Sequence, residues 1–379
     1  MRVLITGGGT AGHINPALAI AAKIKKENPD AEILFVGAKG RMETRLVPQA
    51  GYQIKTINVQ GFQRRITAKN IARNAAAAFW AVASGIECAK IIKQFKPDIA
   101  IGTGGYVSGP VLRKAAKLGI PVLIHEANAY PGMTVRMLAK YADAVLIAAK
   151  EARGYLPATA KVIVTGNPLR AEFLNLQDYE TARKELGLDE RPVVLSLGGS
   201  LGARRINEVM TEVLIKSHRE GGIQHIHATG SAGYRDVVSR LKAHGITGKD
   251  KNIQVHEYIN DMARCMAAAD LVISRCGAMT LSELPAAGKP SILIPSPNVA
   301  ENHQYHNAMA LVNKGAAVCI EEKNLSADTL WREIKRITSS PGLMRRMAEN
   351  ARREAIYDAA DRIYDAILMT LAERGINPK

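Results

Sequence analysis

One arrangement occurs twice in this chain and limits its fold more than any other feature. An apolar run stops at a glycine cluster and passes straight into a helical pattern. The first copy is Arg2-Val3-Leu4-Ile5-Thr6-Gly7-Gly8-Gly9-Thr10-Ala11-Gly12-His13-Ile14-Asn15-Pro16-Ala17-Leu18. The second, Pro192-Val193-Val194-Leu195-Ser196-Leu197-Gly198-Gly199-Ser200-Leu201-Gly202-Ala203, starts roughly 190 residues later, so the halves read as weak structural repeats. A short apolar run stopped by glycine is the pattern of a buried parallel strand. Pro16 followed by Ala and Leu predicts the first turn of a helix, where a missing N–H costs nothing. The glycines then lie between a strand end and a helix N-terminus, where backbone N–H groups and the helix dipole favour an anion.

Gly7-x-Gly9-x-x-Gly12 also fits the dinucleotide fingerprint. That fingerprint needs an acid after the second strand to hold a ribose. Here Glu32-Ile33-Leu34-Phe35-Val36 runs into Gly37-Ala38-Lys39, which argues against a nicotinamide-dependent oxidoreductase. His13 stands beside the loop, where it is a candidate general base or a packing residue.

Strand and helix alternate through the first half, with strands at Gln53–Val59, Ile99–Gly102, Pro121–Glu126, Ala144–Ile147 and Lys161–Thr165. A helical stretch lies near Met42–Gln49 and a long one over Ala68–Gln94. The polar segment Asp178–Arg191 reads as the approach to a second domain. Strands then follow at Ile223–Ala228, Ile253–His256, Leu271–Ser274 and Ser291–Pro295, and helices from about Pro341. Such alternation predicts two α/β domains, each a doubly wound parallel sheet, whose facing strand ends enclose a cleft.

The chain has 379 residues, enough for two such domains. A net charge of +16 implies an anionic partner, while the absence of zinc-finger spacing or a basic heptad region argues against nucleic acid. Cys88, Cys265, Cys276 and Cys319 are scattered without a CxxC pair, as expected of reduced thiols. The first residues read as a core strand rather than a signal peptide, and no apolar run is long enough to span a membrane.

Several motifs together resemble the MurG family of bacterial glycosyltransferases, glycosyltransferase family 28. They are Gly8-Gly9-Thr10-Ala11-Gly12-His13 with Pro16-Ala17-Leu18-Ala19; Gly104-Gly105-Tyr106-Val107-Ser108-Gly109-Pro110; His125-Glu126-x-Asn128; Gly166-Asn167-Pro168-x-Arg170; Gly198-Gly199-Ser200-x-Gly202-Ala203; and Ala278-Met279-Thr280-Leu281-Ser282-Glu283 with Gln304 downstream. They keep the family's order across nearly the whole chain. Ala11 and Ala127 stand where the family often has Gly and Gln.

The resemblance implies a GT-B fold, UDP-N-acetylglucosamine as donor and lipid I, an undecaprenyl-pyrophosphoryl muramyl-pentapeptide, as acceptor. It implies an inverting hexosyltransferase making lipid II for peptidoglycan, with no cofactor; no Asp-x-Asp motif stands at a strand end, so no metal ion is expected, helix N-termini taking its place. Carried over by motif, His13 is the first candidate for the base and Glu126 the second. Thr10, Ala11, Gly12, Asn128, Arg170, Ser200, Ile259, Ala278, Met279, Thr280, Leu281, Ser282, Glu283 and Gln304 are the expected donor-binding residues, with Arg170 and Ser200 at the diphosphate, Glu283 at the ribose and Ile259 at the uracil. Gly104, Gly105, Tyr106 and His125 are expected at the acceptor or its diphosphate.

The implied domains are an acceptor- and membrane-binding domain over 1–165, a donor domain over 166–345, and C-terminal helices over 346–379 packing back toward the first domain. Arg64, Arg65, Lys69 and Arg73 beside Ile71, Phe79 and Trp80 suggest a peripheral contact with anionic lipid at the cytoplasmic membrane face. Other cell-wall synthesis proteins are further expected partners. The rival readings are another GT-B enzyme with a soluble acceptor, a UDP-N-acetylglucosamine 2-epimerase, and a nucleotide-regulated binding module, which would leave His13 and Glu126 without a task.

Overall fold

The computed structural model describes residues 1–59, 84–199, 201–247, 250 and 252–377. Ser200 and the whole basic apolar stretch, with Arg64, Arg65, Lys69, Ile71, Arg73, Phe79 and Trp80, lie outside the described residues.

The chain forms two Rossmann-like units: Met1–Pro168 with the stretch from Asp358 onward, and Leu169–Tyr357. In the first unit, β1 (Arg2–Thr6), β2 (Glu32–Ala38), β3 (Gln53–Ile57), β4 (Ile99–Gly102), β5 (Val122–Glu126), β6 (Ala144–Ile147) and β7 (Val162–Val164) form one sheet in the order β3-β2-β1-β4-β5-β6-β7. Every pair is parallel. Successive strands therefore need crossovers, and helices cover both faces, which is why these strands are apolar nearly throughout. Val3, Ile5, Ile99 and Ile101 face one core, and Leu4, Ala100, Val122 and Ile124 face the other.

Thr6 pairs with Gly102 at the strand ends, so the loops after β1 and β4 emerge side by side. The helix after β1 spans Ala11–Glu27 and starts before Pro16, not at it. Its first turn closes on the Thr10 carbonyl, which accepts from His13 N at 3.1 Å and Ile14 N at 3.2 Å. Pro16, buried in the second turn, deprives the Gly12 carbonyl of its usual partner. Ala11 is helical, so its Cβ is tolerated without strain.

The second unit repeats the plan one strand shorter. Strands β8 (Val193–Leu197), β9 (Gln224–Ala228), β10 (Ile253–His256), β11 (Leu271–Ser274), β12 (Ser291–Leu293) and β13 (Ala317–Cys319) take the parallel order β10-β9-β8-β11-β12-β13. Asp178–Arg191 is no loose approach to this unit. Tyr179–Glu185 is a helix capped by Asp178, whose carboxylate accepts from Thr181 N at 3.0 Å. Buried Arg183 ties it down, donating to Asp270 at 2.7 Å and to the carbonyls of Ala268, Asp189 and Arg191.

Candidate active site

In the first unit the residues resembling the family's reactive side chains gather at the carboxyl ends of β1, β4 and β5, the usual ligand edge of a parallel sheet. His13 is half-buried and doubly tied to Thr103. Its Nδ1 lies 3.0 Å from the Thr103 carbonyl, and its own carbonyl accepts from Thr103 Oγ1 at 2.7 Å. A carbonyl can only accept, so Nδ1 carries the hydrogen and the neutral ring keeps its lone pair on Nε2. The β4 loop thus selects the tautomer a base needs.

Two glycines make this approach possible. Gly104 (φ +105°) would carry a Cβ 2.7 Å from His13 Nδ1, and Gly105 (φ +82°) one 2.3 Å from the Gly8 carbonyl oxygen. Gly105→Ala adds left-handed strain to a main-chain collision, and is expected to destabilise the first unit by about 3 kcal/mol or more. Thermal melting checks this: an alanine variant melting within a degree of the parent would contradict the contact.

Glu126 ends β5 fully buried, with both oxygens engaged. Oε1 accepts from Asn128 N at 2.9 Å and Asn128 Nδ2 at 3.0 Å, and Oε2 from Gly132 N at 2.8 Å. Burial pushes its pKa up, and the N–H groups of Asn128 and Gly132 pull the other way. This geometry fits a carboxylate that shapes the Ala127–Gly132 loop and aims Asn128. His125 has no exposed surface; its Nε2 donates to the Gly166 carbonyl at 3.1 Å and burial lowers its pKa to about 4. In this position His125 supports the Gly166–Asn167 turn. Tyr106 is half-buried beside Gly9, its ring 3.5 Å from where a Gly9 Cβ would stand.

In the second unit the loops after β8, β11 and β12 surround a cavity of about 740 Å³ lined by Gly198, Gly199, Gly202, Arg275, Thr280 and Gln304, among others. The 17-residue helix Arg204–Glu220 points its N-terminus at the glycine loop, as a diphosphate site requires. Arg275 is held in the cavity wall, donating to the carbonyls of Ile294 and Pro295 and pairing with Glu322. Gln304 accepts from Ser296 N at 2.9 Å and follows Glu301 and Asn302, two non-glycine residues with φ of +54° and +51°. Left-handed backbone at such residues costs energy and concentrates at ligand sites.

Arg170 and Glu283, 113 residues apart, meet with Nε 2.8 Å from Oε1. Arg170 also reaches Glu172 at 3.0 Å and lies over the Phe173 ring. Burial raises the Glu283 pKa against the pull of Arg170. Ala278, Met279, Thr280, Leu281 and Ser282 stay half-buried around the start of the helix Thr280–Ala286, whereas Ile259 is buried in the unit's core. Sequence reasoning missed Thr103, Arg275 and Glu322. A main-chain acceptor such as the Thr103 carbonyl leaves no trace in residue type.

Two family models cover most of the chain: the glycosyltransferase family 28 N-terminal domain over residues 3–147 and its C-terminal domain over 193–363. A protein of Acetivibrio thermocellus named UDP-N-acetylglucosamine–N-acetylmuramyl-(pentapeptide) pyrophosphoryl-undecaprenol N-acetylglucosamine transferase is 49% identical over 97% of both chains. One of the same name from Alkaliphilus oremlandii is 43% identical over 99% of this chain and 100% of its own. The crystal structure of MurG from Acinetobacter baumannii superposes with a TM-score of 0.80 at 29% identity, over 97% of this chain and 99% of that one. A UDP-N-acetylglucosamine 2-epimerase structure shares the fold alone, at 16% identity and a TM-score of 0.64, covering 100% of this chain and 99% of its own. The chain belongs to glycosyltransferase family 28 and is, with these relatives, an N-acetylglucosamine transferase.

Proposed function

We propose that the chain moves N-acetylglucosamine from UDP-N-acetylglucosamine to the C4 hydroxyl of the muramyl sugar in lipid I, inverting the anomeric carbon and forming lipid II. The observation that carries the mechanism is the Thr103-held ring of His13, whose lone pair sits on Nε2. As the C4 oxygen bonds to the anomeric carbon, its proton passes to His13 Nε2. The bond from that carbon to the diphosphate breaks, and UDP leaves with the electron pair. The Thr103 carbonyl then faces an imidazolium, which it stabilises.

The second unit supplies the donor's grip in this reading. Backbone N–H groups of the Gly198–Gly202 loop and the start of Arg204–Glu220 take the growing diphosphate charge, and the Arg170 guanidinium is the side chain assigned to it. Glu283 serves the ribose, Ile259 the uracil side, and Gln304 and Ser282 further donor atoms. Of the first unit's residues, Thr10, Ala11, Gly12 and Asn128 serve the donor sugar, and Gly104, Gly105, Tyr106 and His125 the acceptor or its diphosphate. The lipid anchor of the acceptor places the work at an anionic membrane surface, reached peripherally from the cytoplasm beside other cell-wall synthesis proteins. Among the described residues no helix is long and apolar enough to cross a membrane.

Turnover of labelled UDP-N-acetylglucosamine on a short-chain lipid I analogue tests the reading. UDP release is expected only with acceptor present, yielding a β-linked disaccharide, and the protein is expected to sediment with anionic vesicles. Acceptor-independent consumption of the donor would replace this reading with the epimerase one.

A further inference from the structure

The first glycine loop has the form of an anion cradle, yet one of its N–H groups already has an anion. Gly9 N donates to Glu43 Oε2 at 3.0 Å, and Glu43 Oε1 accepts from Ala38 N at 3.0 Å. Glu43 opens the helix Glu43–Gln49 and has no exposed surface. The backbone makes room for it: a Cβ on Gly8 would stand 2.2 Å from Oε1, and one on Gly37 2.6 Å from Cγ. Among the described residues no cation pairs with it, so its carboxyl group meets only main-chain donors. Desolvating such a group costs several kcal/mol, which space-filling alone does not explain.

We propose that Glu43 is a positioning residue for the transfer: its carboxylate fills the anion position of the first glycine loop from within the chain, fixing the loop that carries His13 and closing it to a nucleotide diphosphate. The claim rests on the glycosyl-transfer reading. The end of β2 carries no acid for a ribose, and Glu43, five residues past Ala38, is turned inward onto the loop. The connection to His13 is short. Gly9 leads to Thr10, whose carbonyl holds His13 N, and Gly8 N donates toward the Gly104 carbonyl at 3.4 Å, in the loop that holds the His13 ring. A shift at Gly8 and Gly9 therefore moves both supports of the base. The diphosphate is left to the second unit alone.

Glu43→Gln and Glu43→Ala test this. Glutamine keeps the shape but turns an NH₂ toward an N–H. Alanine leaves a void the size of acetate. Turnover with the lipid I analogue is expected to fall ~100-fold in Glu43→Ala, the cost of a misplaced base, with the donor KM and UDP affinity within about twofold of the parent. Acetate is expected to restore Glu43→Ala activity by about tenfold and leave the parent unaffected, a response that a merely structural residue would not give. The proposal is overturned if folded Glu43→Gln keeps more than about a third of parental kcat, if UDP affinity falls with kcat, or if acetate restores nothing. Failure of both variants to fold, read by circular dichroism, overturns it too, leaving an architectural carboxylate. An inactive parent would remove the transfer reading itself, and this proposal with it; the variants count only against an active parent.

Discussion

His13→Gln is expected to lower kcat about a thousandfold while leaving UDP affinity unchanged, because general-base catalysis contributes ~10²–10⁴ and glutamine cannot accept the proton. The neutral amide can still donate to the Thr103 carbonyl, which His13 Nδ1 reaches at 3.0 Å, so the loop keeps its shape and only the chemistry is lost. The residues proposed to bind the donor, Arg170, Glu283 and Gln304, belong to the other unit, so binding and turnover are expected to separate. Glu126→Gln is the matched control. Its carboxylate accepts three hydrogen bonds within its own loop, so this change is expected to raise the acceptor KM and lower stability more than kcat. Steady-state kinetics with donor and acceptor varied in turn distinguishes the two. A His13→Gln enzyme keeping a tenth of parental kcat, beside an inactive Glu126→Gln, would pass the base role to Glu126.

Acidification from pH 7.5 to pH 5 is expected to remove about 6 kcal/mol of stability through three buried histidines, roughly 2 kcal/mol for each, partly offset by Glu126 and Glu283, whose raised pKa values act in the opposite sense. Burial lowers the pKa of His125 to about 4, with the Gly166 carbonyl opposing. Burial, then the neighbouring His227, lowers His225 to about 3. Burial lowers His227 to about 4, against the pull of Ser196. All three are depressed below the unfolded value near 6.5, so the unfolded chain binds protons first. Their contribution is full above pH 6.5 and is lost as pH falls toward the folded values. His225 and His227 share one face of β9, bonded at 2.8 Å to Ser217 and Ser196, so the second unit carries two of the three. Differential scanning calorimetry between pH 7.5 and 5 should show its transition falling further than that of the first unit. Equal melting temperatures at both pH values would contradict this. A His225→Gln, His227→Gln variant should lose about two thirds of the pH dependence, on the same linkage arithmetic.

The sheets were legible because parallel strands buried on both faces must be apolar runs, and Ile99–Gly102 or Leu271–Ser274 can be little else. The glycine loops were legible as loops, but what fills them was not. Glu43 falls in the helical stretch read near Met42–Gln49, but its polar string Arg41-Met42-Glu43-Thr44-Arg45 gives no sign of burial, and only the fold shows its carboxylate turned inward. Strand β13 has three residues and no alternation to detect. Asp178–Arg191 misled by composition, since one buried arginine bonded to three carbonyls outweighs a polar average. The pairing of Arg170 with Glu283 joins two motifs that the resemblance identified separately.

The last helix bears on how the chain is made. Ala359–Glu373 inserts Ile363, Ala366, Ile367 and Leu371 into the core beneath β1, and Lys23, Asp143 and Lys161 clasp its length through Asp361, Arg374 and Glu373. Its three large apolar side chains contribute roughly 5–9 kcal/mol by burial, comparable to a whole domain's margin. The first unit to leave the ribosome therefore waits for Asp358 onward, 190 residues past Pro168 (358 − 168), or roughly 10–40 s of translation. Until then an open apolar groove is left for chaperones to cover.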